Sequence, residues 1–217
     1  MRVVVTQSDP SRALARLGAE GIEAVACPLV RIEAVPGPPL RAAGYDWLVL
    51  TSRNAVEALF ARLEGPLPAV AAIGPGTADA LRAHGVEPDL VARESTQEGL
   101  VAEMPGSPGR VLFAGAEAAR DVVVRELGAD VVTLYRTVPL RPERFPEGDL
   151  VALASASAAR AFAALGLDRP TVSVGPATTA AARDAGLVVV AEAESHDLDG
   201  LVGAVKLAAS RIASSRS

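Results

Sequence analysis

Six short stretches of the chain carry glycines or small polar residues where a strand-like run gives way to a helix-like one. They are Thr6-Gln7-Ser8, Thr51-Ser52-Arg53-Asn54, Gly74-Pro75-Gly76-Thr77, Ala114-Gly115-Ala116, Ser155-Ala156-Ser157 and Gly175-Pro176-Ala177-Thr178. In an open α/β sheet such turns line the carboxyl edge of the strands, where ligands bind. The first amides of each helix point outward there, and the helix dipole favours negative charge. Small side chains let an anion reach the backbone. The candidate ligand-binding residues are therefore Thr6, Thr51, Ser52, Arg53, Asn54, Gly74, Gly76, Thr77, Gly115, Ala116, Ser155, Ser157, Gly175 and Thr178. Any one of these turns is better explained by ordinary helix capping. Six together point to a ligand with several anionic groups. Arg53 either adds a direct cation or is a solvated surface arginine.

The usual catalytic signatures are missing. The sequence has no phosphate-binding glycine loop ending in Lys-Ser/Thr, no GxGxxG after a strand and no GxSxG elbow. His84 and His196 stand far apart without partners at metal-ligand spacing; His84 reads as a helix C-terminal cation beside Gly85, and His196 lies in a polar turn. Cys27 is the single cysteine, which excludes an internal disulfide and reads as a small buried hydrophobe. Net charge is −5 and no Lys/Arg cluster occurs, which argues against nucleic acid as partner. No run approaches the length of a membrane span, and no signal peptide precedes the first apolar run, so a cytoplasmic location is expected. Ala213–Ser217 reads as a frayed tail.

Behind the candidate turns lies a repeat in the order A–B–A′–B′. Ala72-Ile73-Gly74-Pro75-Gly76-Thr77 resembles Ser173-Val174-Gly175-Pro176-Ala177-Thr178, and the register of Gly74 to Gly175 persists through Ala92/Ala193 and Gly99-Leu100-Val101/Gly200-Leu201-Val202. Leu50-Thr51-Ser52 likewise resembles Leu153-Ala154-Ser155. Arg2-Val3-Val4-Val5 matches Arg110-Val111-Leu112-Phe113 more weakly, as Leu17-Gly18-Ala19 matches Leu127-Gly128-Ala129. Each unit reads as strand, turn, helix: strands at Val3–Thr6, Trp47–Leu50, Val70–Ile73, Val111–Phe113, Val151–Leu153 and Val172–Val174, with helical spacing after each. Alternation of this kind implies parallel sheets covered by helices. With 50% hydrophobic but only 3% aromatic residues, the core must be built from Ala, Val and Leu.

Leu29–Val35 and Val132–Val138 both run extended into a proline at unit boundaries and read as connectors. The expected fold is two similar Rossmann/flavodoxin-like α/β lobes with parallel sheets, joined by a two-stranded antiparallel connector. The repeat alone allows contiguous lobes (1–105 and 106–217) or an insertion. The connectors favour insertion, with residues 36–137 forming one lobe and 1–35 plus 138–217 the other.

At these same residues the sequence resembles the uroporphyrinogen-III synthase family. The resemblance runs through Val4-Val5-Thr6, Pro28-Leu29-Val30-Arg31-Ile32, Asp46–Val56, Ile73–Ala78, Leu134-Tyr135-Arg136-Thr137 and Gly175-Pro176-Ala177-Thr178. It departs at the last turn, where Ala177 follows the Gly-Pro before Thr178. The resemblance implies an enzyme that closes the linear tetrapyrrole hydroxymethylbilane with loss of water and inversion of the terminal ring. It implies no cofactor and no metal, a substrate held in a cleft between lobes largely by backbone amides, and Tyr135 as the group that assists departure of the hydroxyl. The alternative, that Tyr135 is an aromatic strand residue packed on the connector, is the weaker reading, since only two tyrosines occur. A monomer is expected, acting on a small molecule. The rival functions are a non-catalytic two-lobed binding protein for a polyanionic small molecule and a phosphate-using transferase; the latter lacks its glycine loop and acidic metal ligands.

Overall fold

The valine run Arg2–Val5 forms strand β1, and Ser11–Ala19 forms helix α1, closed by Gly21 in the left-handed region at φ 71°. Glu23–Ala26 (β2) and Val30–Ala34 (β3) follow. Next come Trp47–Leu50 (β4), Arg53–Phe60 (α2), Ala69–Ala72 (β5), Pro75–Ala83 (α3), Leu90–Val91 (β6) and Gln97–Glu103 (α4). Val111–Ala116 (β7), Val122–Leu127 (α5) and Asp130–Pro139 (β8) complete the middle of the chain. Leu150–Leu153 (β9), Ala156–Ala163 (α6), Thr171–Ser173 (β10), Pro176–Asp184 (α7), Val189–Glu192 (β11) and Leu198–Ser214 (α8) end it. This is a computed structural model that describes residues 1–214, with side chains through Arg211. Ala213 and Ser214, expected in a frayed tail, belong to α8; the rest of that segment, 215–217, lies outside the described residues.

The strands form two sheets, ordered β11-β10-β9-β1-β2 and β3-β8-β7-β4-β5-β6. All pairs of the first are parallel. In the second, β8-β7-β4-β5-β6 is parallel. The β3–β8 pair runs antiparallel: Leu140 N–H donates to Leu29 O and Val35 N–H to Leu134 O, so one strand rises in number as the other falls. The segment read as a return connector, Val132–Val138, is thus most of a longer strand, β8, whose part from Asp130 to Tyr135 is a parallel neighbour of β7. The short strands β2, β6 and β11, unassigned in the sequence, lie outward of the buried Val/Ala/Leu strands.

The chain divides into two units: Met1–Arg31 together with the chain from Val138 on, and Ile32–Thr137. Each is a sheet buried on both faces, as parallel sheets are. In the first, Val3, Val5, Leu150 and Val172 pack with Leu17, Leu201 and Val205 on one side, while Val4, Val151 and Leu153 pack with Phe162 and Ala182 on the other. In the second, Leu48, Leu50 and Leu112 face Leu59 and Leu81, while Val49, Val111 and Phe113 face Leu100 and Val123. The repeat extends to single hydrogen bonds. Arg2 N–H donates to Asp149 Oδ2 at 2.9 Å, and its counterpart Arg110 N–H donates to Asp46 Oδ2 at 2.7 Å.

Candidate functional site

Within the unit of residues 32–137, the turn from β4 to α2 carries Thr51–Asn54. Ser52 is the N-cap in an extended conformation, and its Oγ accepts the Ala55 N–H at 3.1 Å. The same oxygen lies 2.8 Å from the hydroxyl of Tyr135 on β8. Tyr135 is only 6% exposed. Burial pushes its phenol above the ordinary value of 10, and the Ser52 hydrogen bond partly opposes that rise. The tyrosine therefore stays protonated throughout the neutral range. Arg53 is exposed and makes a long contact of 3.5 Å from its Nη2 to Gly76 O, tying the start of α2 to that of α3.

The β5–α3 turn begins at Gly74, with Pro75 in the first helical turn and no side-chain cap. Pro75 has no N–H, and the Thr77 and Ala78 N–H groups donate to Gly74 O at 3.1 Å, so Gly76 supplies the first amide of α3 that could meet an anion. Gly74 and Gly76 differ, however. A Cβ on Gly74 would lie 2.2 Å from Ser95 Oγ, whereas one on Gly76 would meet nothing within 4 Å. Thr77 is buried.

Gly115 and Ala116 do not form a strand-to-helix turn. Strand β7 runs on through Ala116, and α5 starts only at Val122. Gly115 pairs with Thr133, and Ala116 with Tyr135 after a register irregularity. The backbone here pairs with β8 beside Tyr135 rather than passing directly into a helix. The Glu117 N–H extends the pairing to Tyr135 O at 2.8 Å.

In the other unit, Ser155 reproduces Ser52 closely: extended backbone, and Oγ accepting the Ala158 N–H at 3.1 Å. Ser157 follows in the first turn of α6, half-buried. Gly175 starts α7 as Gly74 starts α3, and a Cβ on it would lie 2.6 Å from the ring of His196. Thr178 is buried. Thr6 is fully buried, and its hydroxyl donates to Ala152 O at 2.8 Å. That hydroxyl joins two strands and is not available to a ligand.

Ser95 and His196 occupy matched positions over matched glycines, and sequence reading missed both as neighbours of the turns. The repeat register that relates Gly74 to Gly175 also relates Ser95 to His196, and that was the available signal. A second missed cluster is Ser173, Thr179 and Glu192: the Ser173 and Thr179 hydroxyls lie 2.5 Å apart, and Thr179 donates to Glu192. His84 caps the end of α3, where it stacks on Phe60 and bonds Glu57 at 3.0 Å. Cys27 is buried, and burial pushes its thiol up. Among the described residues no group of His, Cys, Asp or Glu is placed to hold a metal, and no helix is long and apolar enough to cross a membrane.

Doubly wound lobes with capped serines and glycine-proline turns at their carboxyl edges are shared by many proteins, so the comparison with known families decides. The model of the family described as uroporphyrinogen-III synthase HemD matches residues 11–203. The chain belongs to the uroporphyrinogen-III synthase family. A curated relative, the uroporphyrinogen-III synthase of Synechococcus elongatus, is 30% identical over 92% of this chain and 90% of its own. Solved structures of synthases share the fold. That from Helicobacter pylori gives a TM-score of 0.67 at 19% identity, covering 97% of this chain and 99% of the other. A mutant synthase from Thermus thermophilus gives 0.66 at 20%, with the same coverage. In a synthase of this family, the six-stranded sheet carries the paired Ser52 and Tyr135 hydroxyls at its carboxyl edge.

Proposed function

We propose that this chain cyclises hydroxymethylbilane with loss of water and inversion of the terminal pyrrole ring, giving uroporphyrinogen III. Family membership supports the reaction, and the observation that carries its chemistry is the Ser52–Tyr135 pair. Loss of the substrate hydroxyl leaves a cation delocalised over the pyrroles, so the departing oxygen needs a proton donor and little else. The paired hydroxyls, with the phenol held neutral by burial, can supply that proton. The larger task is orientation, because ring closure must be directed to the substituted carbon of the terminal ring. In the unit of residues 32–137 the turns at Thr51–Asn54 and Gly74–Thr77 offer backbone amides to carboxylates, with Arg53 adding a cation, and in the other unit the turns at Ser155–Ser157 and Gly175–Thr178 offer the same kind of amides. On this reading the enzyme needs no cofactor and works as a cytoplasmic monomer.

The test is direct. Purified protein is given freshly prepared hydroxymethylbilane, and the oxidised products are separated into isomers I and III. Isomer III in excess of the uncatalysed background is expected. Tight binding of the tetrapyrrole with only isomer I formed would instead favour a non-catalytic binding protein.

A further inference from the structure

The pair of hydroxyls at the carboxyl edge of the six-stranded sheet has a direction, and it follows from counting protons. Ser52 Oγ has two lone pairs and one hydrogen, and one lone pair is taken by the Ala55 N–H. Tyr135 Oη has one hydrogen, and among the described residues Ser52 is its hydrogen-bond partner. Tyr135 is 6% exposed, whereas Ser52 is half-buried at the mouth of the turn. If Ser52 donated to the tyrosine, the phenolic hydrogen of a side chain only 6% exposed would have no acceptor among the described residues, which disfavours that direction. If Tyr135 donates to Ser52, the phenolic hydrogen and both serine lone pairs are used. The serine hydrogen is then the one free to point outward.

We infer that Ser52 presents the hydroxyl hydrogen to the departing oxygen of the substrate, and that Tyr135 is a positioning residue donating to Ser52 from behind. This rests on the cyclising reading above. In the step, the substrate C–O bond breaks and its electron pair leaves with oxygen, which takes the Ser52 proton to become water. Ser52 takes the Tyr135 proton. The substrate cation loses one proton when the attacked ring regains aromaticity after closure, and that proton returns through Ser52 to Tyr135. One water leaves, and both side chains end as they began.

The matched serine of the other unit isolates the capping role. Ser155 has the same backbone conformation and the same 3.1 Å cap, without a phenol behind it. Ser52→Ala and Ser155→Ala should therefore lower Tm alike. On rate of isomer III formation, Ser52→Ala should lose about 10²-fold, the low end of the range for a lost proton donor, and Tyr135→Phe a smaller factor of about tenfold. The double variant should match Ser52→Ala alone, because both changes act through one hydrogen. Ser52→Thr should restore most of the rate. Ser52→Gly, which weakens a cap less than alanine does, serves if Ser52→Ala fails to fold. A Tyr135→Phe loss that equals or exceeds that of Ser52→Ala, or losses that multiply in the double variant, would overturn the assignment while leaving the reaction itself standing. A parent protein that forms no isomer III would overturn both.

Discussion

Gly74 and Gly76 stand two residues apart in one turn, yet they are glycines for different reasons. Gly74 yields the space that Ser95 occupies, and Gly175 does the same for His196; Gly76 faces open space. Gly74→Ala should thus force Ser95 aside and lower stability by about 1–3 kcal/mol, as overpacking does. Gly76→Val should leave the fold intact and block close approach to the first amides of α3. Its expected outcome is several-fold weaker binding of the carboxylated product with little change in Tm, read by fluorescence quenching and thermal melts. Affinity equal to the parent's would remove that amide cradle from the site. Only the structure separates these glycines, because a sequence shows that a residue is small and not what fills the room it leaves.

Helices and strands bring further groups into contact. In the repeat, Ser173, Thr179 and Glu192 correspond to Ala72, Ala78 and Val91, so one lobe has a polar link where the other is apolar. Ser173 and Thr179 are buried. Thr179→Val leaves the Ser173 hydroxyl without its partner and should cost about 1–3 kcal/mol in a denaturant melt. The double change Ser173→Ala with Thr179→Ala imitates the other lobe and should cost less than the two single changes added together. Helix α8 is held to α1 by Glu20, which pairs with Lys206 at 2.8 Å and with Arg16. These cations hold the Glu20 carboxyl at about 2, below its ordinary 4.5. The contribution is therefore present above about pH 4.5 and lost as pH falls toward about 2. Glu20→Gln should flatten the decline of Tm with acid in that window, and less so at high salt. An unchanged acid limb would show that the pair does not contribute.

At the scale of the whole chain, the units Met1–Arg31 with Val138 onward and Ile32–Thr137 imply which pieces can fold alone. A fragment of residues 32–137 keeps β4 to β7 and most of β8, with the helices that cover both faces. A fragment of residues 1–105 keeps β1 and β2 without β9 to β11, and β4 to β6 without β7 and β8. The first should melt cooperatively with dispersed amide resonances, and the second should not. A folded 1–105 beside a disordered 32–137 would contradict this division.

The alternation of strand and helix, the A–B–A′–B′ repeat, the Ala/Val/Leu core and the resemblance that the family match now supports were all legible in the residues alone. These rest on periodicity and local order, which neighbouring residues carry whatever the tertiary context. The strand-to-helix turns at Ser52, Gly74, Ser155 and Gly175 were legible for the same reason. The turn expected at Gly115 and Ala116 was not real, because pairing with β8 extends β7 past the point where local signals would end it. The tertiary structure alone decided which hydroxyls are spent. Thr6 turns inward to Ala152 O, while Ser52 meets a tyrosine 83 residues away. Both are small hydroxyl residues after a strand, and nothing local distinguishes them. Sheet order sets the difference, since it determines which strand runs beside each turn and therefore which polar group each hydroxyl meets.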